Sequence, residues 1–247
     1  MREPILSAKG LTKRFGGVHA LERVDFDLHR GEVLALAGDN GAGKSTLIKT
    51  ISGVHQPTEG EIRFRGRPVL FADPRAARAA GIETIYQDLA LADNLDVGAN
   101  VFLGREPMRR IFGLFPALDR ARMAREAAAL IATLDIALPR LDLPVRSLSG
   151  GQRQAVAIGR AVFWNAEVLI MDEPTAALGV PEQRKVVALI RSLRAANKAV
   201  IFISHNLADI FAVADRIMVL RRGRKAGERV AGEANGDEIV KLMVGSA

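Results

Sequence analysis

No cysteine occurs among the 247 residues of this chain. That excludes a disulfide framework, a thiolate metal site and a cysteine nucleophile, and it suits a reducing compartment. Nor is there a run of about 18 apolar residues, the length a helix needs to cross a bilayer. Met1-Arg2-Glu3-Pro4 leads into a short apolar stretch that Lys9 interrupts, so the apolar core of a signal peptide is missing. Internal repeats and low-complexity linkers are absent as well, because the Arg/Ala-rich stretch from Arg120 to Ala132 has the composition of a helix. With 49% hydrophobic and 26% charged residues the composition is globular rather than disordered. The length allows one large domain with a real core, or one domain plus a small insert. The net charge of +7 suits an anionic partner, whether nucleotide, nucleic acid or an anionic membrane surface, and equally suits a solvated basic surface.

Short apolar runs at Val33 to Ala37, Val168 to Met171 and Ala199 to Ile203 read as buried parallel strands, with Ile82 to Tyr86 a weaker case. Each ends in polar punctuation: Gly38, Asp172-Glu173, Ser204-His205 and Gln87, respectively. In an open α/β sheet, ligands sit at the carboxyl ends of strands, so these ends point to one shared site. The N-terminal part differs. Leu6 to Leu11, Val24 to Leu28 and Glu61 to Phe64 alternate or nearly so between glycine turns at Gly16-Gly17, Gly31 and Gly66, as antiparallel strands do. From about Leu89 to Ala161 the pattern is mostly helical. Arg120 to Leu134 and Gln152 to Val162 carry helical spacing, and Pro139 and Pro144 lie in the loop between them.

Gly38-Asp39-Asn40-Gly41-Ala42-Gly43-Lys44-Ser45 matches the G-x-x-x-x-G-K-[ST] phosphate loop in full, after a strand and before the helix expected at Thr46 to Ile51. Its backbone N–H groups can turn inward around phosphate oxygens at the positive end of a helix dipole. Lys44 is then expected to reach the β- and γ-phosphates of a nucleotide, and Ser45 to ligate Mg²⁺. Val168 to Met171 followed by Asp172-Glu173 sets two carboxylates at a strand end. Asp172 can hold Mg²⁺ through water and Glu173 can reach an attacking water as general base, although alone the pair also fits a strand capped by surface acids. Leu148-Ser149-Gly150-Gly151-Gln152 is a second Gly-rich element. Ser149 can cap the following helix, either as plain capping or as a second phosphate site.

This set of motifs resembles the nucleotide-binding subunits of ATP-binding cassette (ABC) transporters, in the family's order and over nearly the whole chain. Leu148 to Gln152 looks like the family's signature sequence, Gln87 like the Q-loop glutamine and His205 like the switch histidine. Phe15 is placed like the aromatic that stacks on adenine, though a lone Phe also suits core packing. The resemblance implies an α/β fold: a phosphate-loop NTPase sheet core with an N-terminal antiparallel β subdomain and an inserted α-helical subdomain. Residues 1–88 and 162–247 would form the ATP-binding core and 89–161 the helical signature subdomain of one domain. It implies ATP and Mg²⁺ as ligands. Gly38 to Thr46 and Phe15 would bind the nucleotide of one chain, and Ser149, Gly150, Gly151 and Gln152 the γ-phosphate of a partner's. Ser45, Gln87 and Asp172 would hold the metal, and Lys44, Gln87, Glu173 and His205 would carry the hydrolysis.

In the family two such chains pack head to tail with ATP between them, and a membrane permease supplies the channel. A homodimer bound peripherally to permease subunits on the cytoplasmic face of the plasma (bacterial inner) membrane is therefore expected. Tyr86 to Leu91, Asn100 to Glu106 and Leu242 to Gly245 look like simple-sugar importers of the ribose, xylose and fructose type, which work with a periplasmic sugar-binding protein. Many of those ATPases fuse two cassettes; a single one implies two copies per transporter. Three other readings remain: a branched-chain amino-acid importer, a soluble ABC ATPase acting on nucleic acid, and a regulatory module without turnover. No nucleic-acid partner is expected, since long coiled-coil insertions and a second cassette are missing, and intact Glu173 and His205 speak for turnover. One departure stands out. After Glu173-Pro174-Thr175 the family usually runs to Ala-Leu-Asp, and here it is Ala177-Leu178-Gly179. The missing acid would normally face the partner's phosphate loop, so looser coupling between the two sites is expected.

Overall fold

The computed structural model describes residues 3–111, 114–133, 138, 140–176 and 178–245. Leu134, Pro139 and Ala177 lie outside the described residues. Strands β1 (Leu6–Phe15), β2 (Val18–Leu28) and β3 (Val33–Ala37) lead into α1 (Lys44–Ile51), then β4 (Glu59–Phe64), β5 (Arg67–Val69), α2 (Pro74–Ala80) and β6 (Ile82–Ile85). The middle of the chain forms α3 (Val97–Phe102), β7 (Met108–Ile111), β8 (Phe115–Leu118), α4 (Arg120–Thr133) and α5 (Gly150–Phe163). The remainder is β9 (Val168–Asp172), α6 (Val180–Ala195), β10 (Ala199–Ile203), α7 (Leu207–Val213), β11 (Arg216–Arg221), β12 (Arg224–Val230) and α8 (Gly236–Val244). Two compact units result. The first comprises Met1–Gln87, Ala166–Ala176 and Val187–Ala247; the second comprises Asp88–Asn165 and Ala177–Val186. Among the described residues no helix is long and apolar enough to cross a membrane.

The first unit holds two sheets. One is antiparallel with strand order β2-β1-β4-β5; the other has order β12-β11-β3-β10-β9-β6. Within the second sheet β11, β3, β10, β9 and β6 run parallel, and only β12 is antiparallel to its neighbour. Every residue of β3 and β10 is buried, as strands covered on both faces require. Their unbroken apolar runs are the consequence. Strands β1 and β2 extend beyond the alternating stretches to pair Phe15 with Val18 across the Gly16-Gly17 turn. Leu47, Ile48 and Ile51 are the buried apolar face of α1 and share a core with Leu34 and Leu36 of β3. Dispersion and apolar burial there anchor the helix next to the phosphate loop, at roughly 1.5–3 kcal/mol per fully buried aliphatic side chain.

The second unit is built on α3, α4 and α5. Val97, Val101 and Phe102 pack with Met123, Ala127, Leu130 and Ile131 and with Val156. Asn100 is fully buried and ties down the preceding loop. Its Oδ1 accepts from the Ala92 N–H (2.7 Å), and its Nδ2 donates to the carbonyls of Ala92 (3.1 Å), Leu95 (3.2 Å) and Asp96 (2.9 Å). Within the stretch read as mostly helical, β7 and β8 form an antiparallel hairpin. Pro107 and Pro116 explain it, because each removes a backbone donor that a continuous helix would need. Asp119 closes this insertion by accepting from the Arg122 N–H (2.9 Å) at the start of α4.

Candidate active site

The parallel register puts the carboxyl ends of β3, β10, β9 and β6 side by side along one edge of the sheet. Gly38 follows β3, Ser204-His205 follow β10, Asp172 ends β9 with Glu173 next, and Tyr86-Gln87 follow β6. Gln87 is exposed there.

Gly38 turns the chain out of β3 at φ 150°, where a Cβ would run into the Leu220 carbonyl of β11. Gly43 sits at the N-cap of α1 with φ 106°, and α1 has no side-chain cap. Its first-turn N–H groups therefore face outward without competition from a capping side chain, the arrangement that suits a phosphate. Lys44 Nζ donates to the carbonyls of Gly38 (2.6 Å) and Asp39 (3.1 Å), which holds the cation over the loop mouth. A concavity of about 480 Å³ opens there, lined by Asp39 to Thr46 and by Val18, His19, Ala20, Arg222 and Gly223. Phe15 lies 44% exposed with Lys13 Nζ 5.0 Å from its ring centroid, so its face is not core packing.

At the end of β9 the Asp172 carboxyl is pushed above its ordinary pKa by burial and by repulsion from Glu173, with Lys44 and Lys49 partly offsetting both. Glu173 is a non-glycine residue in the left-handed region, φ 53°, held by its N–H donating to the Ile203 carbonyl (3.0 Å). Such a backbone costs on the order of 1–3 kcal/mol and is found where surrounding structure insists on it. Here it aims the carboxylate so that Oε2 meets His205 Nδ1 at 2.7 Å. Thr175 Oγ1 donates to Asp209 Oδ2 at 2.7 Å and fixes the loop just beyond. Phosphate loop, acid pair and histidine thus all belong to the first unit.

The second Gly-rich element belongs to the second unit. Ser149 caps α5 with a reciprocal capping box: Ser149 Oγ accepts from the Gln152 N–H (3.3 Å), and Gln152 Oε1 accepts from the Ser149 N–H (2.9 Å). Leu178 packs where a Cβ on Gly150 would lie, and Glu182 where one on Gly151 would lie.

A family model described as "ABC transporter" matches residues 21–176. The chain belongs to the ABC transporter family. It is 52% identical to the fructose import ATP-binding protein FrcA of Rhizobium meliloti over 91% of this chain and 87% of that protein. It is 47% identical to the xylose/arabinose import ATP-binding protein XylG of Sulfolobus acidocaldarius, over 98% of this chain and 95% of the relative. A ribose import ATP-binding protein of Rubrobacter xylanophilus, RbsA 2, is 45% identical over 98% of this chain but only 46% of its own length, so the chain spans about half of that relative. The fold matches a nucleotide-free ATP-binding cassette from an ABC transporter with TM-score 0.82 and 25% identity, over 99% of this chain and 96% of that one. It also matches the dimeric structure of a post-hydrolysis state of the cassette MJ0796 bound to ADP and Pi, with TM-score 0.76 and 26% identity over 92% and 98%.

In this ABC cassette Phe15 and His205 fall outside the matched stretch, so only position and geometry speak for them. Sequence reasoning passed over Val18, His19, Ala20, Arg222 and Gly223, which line the concavity. The Arg222-Gly223 turn between β11 and β12 was the available signal, since a glycine there lets Ala20 approach to 2.8 Å of where a Cβ would stand.

Proposed function

We propose that this chain is the ATP-hydrolysing subunit of an importer for a simple sugar, working as a homodimer on separate permease subunits. The observation that carries the reading is the edge of parallel strands bearing Lys44, Asp172, Glu173 and His205, with Glu173 and His205 in direct contact. Gly38 to Thr46 hold the nucleotide phosphates and Phe15 the adenine, with Lys44 exchanging its loop carbonyls for β- and γ-phosphate oxygens. Glu173 accepts the proton of the attacking water as the water oxygen bonds to the γ-phosphorus and the bond to the β–γ bridging oxygen breaks. His205 orients that carboxylate and, with Gln87, meets the γ-phosphate. An acid that burial and the adjacent Glu173 carboxylate push above its ordinary pKa, as Asp172 is, fits a divalent cation. Ser45, Asp172 and Gln87 would hold Mg²⁺, which when bound neutralises charge on the phosphate oxygens.

Ser149, Gly150, Gly151 and Gln152 serve the nucleotide of a second copy, so one chain binds ATP and two hydrolyse it. Sugar as the cargo rests on the import proteins for fructose, xylose/arabinose and ribose to which the chain is similar, and the same relatives favour it over an amino-acid cargo. The permease places the cassette peripherally on the cytoplasmic face of the membrane, and a periplasmic sugar-binding protein delivers the cargo. Glu173→Gln should lower ATP turnover at least ~100-fold while ATP-dependent dimerisation persists. Turnover that survives Glu173→Gln contradicts the assignment. Reconstitution with its permease and binding protein, assayed with fructose, xylose and ribose, tests the cargo; stimulation by an amino acid instead overturns it.

A further inference from the structure

Glu182 has no part in the phosphate chemistry, yet it occupies space at two glycines that matter to the dimer. A Cβ on Gly151 would stand 2.8 Å from its Cγ, 2.9 Å from its Cβ and 3.6 Å from its Cα. These atoms lie near the backbone of α6, so they cannot swing aside as a side-chain tip would. A Cβ on Gly179 would stand 2.9 Å from its Oε2. The segment itself is folded down onto α6, since Gln183 Nε2 donates to the Leu178 carbonyl (3.0 Å) and the Gln183 N–H donates to the Gly179 carbonyl (2.9 Å). Residues 177–186 and α5 belong to one compact unit.

We propose that Glu182 is a positioning residue that locks Leu178-Gly179 against the first turn of α5. Residues 149–152 and 178–179 are then a single preformed surface presented to the partner's nucleotide. The glycine at 151 is required by Glu182 of the same chain, not only by the approach of a partner's phosphate. The glycine at 179 is likewise explained: an acid there would set a second carboxylate against Glu182. This inference rests on the ATP-bound homodimer proposed above.

The test is a double-mutant cycle on the full chain without nucleotide: wild type, Gly151→Ala, Glu182→Gly and both together, read as melting temperature. Gly151→Ala alone should melt several degrees lower, and removing the Glu182 side chain in the double variant should recover most of that loss. Strict additivity overturns the proposal. On the same chains, Glu182→Gly should lower kcat about tenfold with the single-chain affinity for ATP unchanged, and Glu182→Gln, which keeps the shape, should recover most of the turnover. Equal loss of ATP affinity in Glu182→Gly means general damage and also overturns it. Gly179→Asp should lower kcat; a gain in kcat refutes the like-charge clash. Failure of the dimer reading would appear separately, as wild-type chain that stays monomeric with ATP while the melting cycle still couples.

Discussion

Gly43→Ala probes the geometry that makes the phosphate loop a binding site. The residue sits at φ 106°, which an L side chain resists at a cost of roughly 1–2 kcal/mol. Its Cβ would also stand 2.8 Å from the Ala20 carbonyl oxygen, 3.1 Å from Leu21 Cδ2 and 3.3 Å from Gly223 Cα. Forcing a methyl into a filled space of that kind costs about 1–3 kcal/mol. The two together give about 2–5 kcal/mol. For a chain of this size that lowers the melting temperature by roughly 4–20 °C. Gly41 in the same loop is the control: it is left-handed too, at φ 78°, but nothing lies within 4 Å of its Cβ position. Gly41→Ala should therefore incur only the conformational cost, about 1–2 kcal/mol. Because Gly43 is the N-cap of α1, the chain relieves its clash by shifting the N–H groups that aim at phosphate. ATP affinity should fall at least ~10-fold, which is about 1.4 kcal/mol. Thermal melts and nucleotide titration of both variants decide the matter. If Gly43→Ala melts within 2 °C of Gly41→Ala, by the same conversion about 1 kcal/mol, or binds ATP as tightly as wild type, the reasoning is wrong.

Arg216 stands among three carboxylates, with Nη2 to Asp27 Oδ1 (3.0 Å), Nη1 to Glu32 Oε1 (2.7 Å) and Nε to Glu228 Oε1 (2.7 Å). Arg216→Met should cost about 2–4 kcal/mol at neutral pH by urea unfolding, and an unchanged midpoint would contradict it. Burial opposes ionisation of Asp27, but Arg216, with His29, holds its pKa below the ordinary range. A depressed carboxylate contributes stability above its unfolded pKa and loses it as pH falls through the folded one. The wild-type advantage over Arg216→Met should accordingly narrow on acidification, and a gap that widens would refute the sign. Asn100→Ala orphans groups that four hydrogen bonds now satisfy, and should lower stability by about 2–4 kcal/mol with faster amide exchange over residues 92–96; unchanged exchange there would count against it. On the proposed adenine contact, Phe15→Ala should weaken ATP binding about 3–10-fold and leave kcat alone, while its contacts with His55 and Lys13 also go; a fall in kcat at saturating ATP would remove Phe15 from that role.

The parallel strands were legible because burial on both faces demands unbroken apolar runs, and β3 and β10 obey that at every position. The hairpin of β7 and β8 was not, because Met108, Phe115 and Leu118 are exposed and so carry no period that burial imposes. Strand β1 runs on past Leu11, since Thr12 to Phe15 are kept in the sheet by cross-strand bonds rather than by an apolar pattern. The phosphate loop, the acid pair and His205 could be read because their residue types are chemically restrictive. The role of Glu182 could not, since the only trace it leaves in the sequence is an absence of side chains at Gly151 and Gly179.

The two Gly-rich elements differ in a way that orders their use. At α1 no side chain caps the helix, so a phosphate meets free N–H donors and gains their full charge–dipole attraction. At α5 the capping box already engages both the Ser149 and Gln152 N–H groups. An arriving phosphate must displace or share those bonds, and the longer one, Ser149 Oγ to the Gln152 N–H at 3.3 Å, is the weaker. ATP should therefore settle first on the loop of one chain and engage α5 of the second only afterwards. On the proposed contact with a partner's phosphate, Ser149→Ala removes two terms of opposite sign for that step, the cap that competes for the Gln152 N–H and the hydroxyl that would meet the phosphate. Its effect should fall on ATP-driven dimerisation and leave the ATP affinity of the single chain as in wild type.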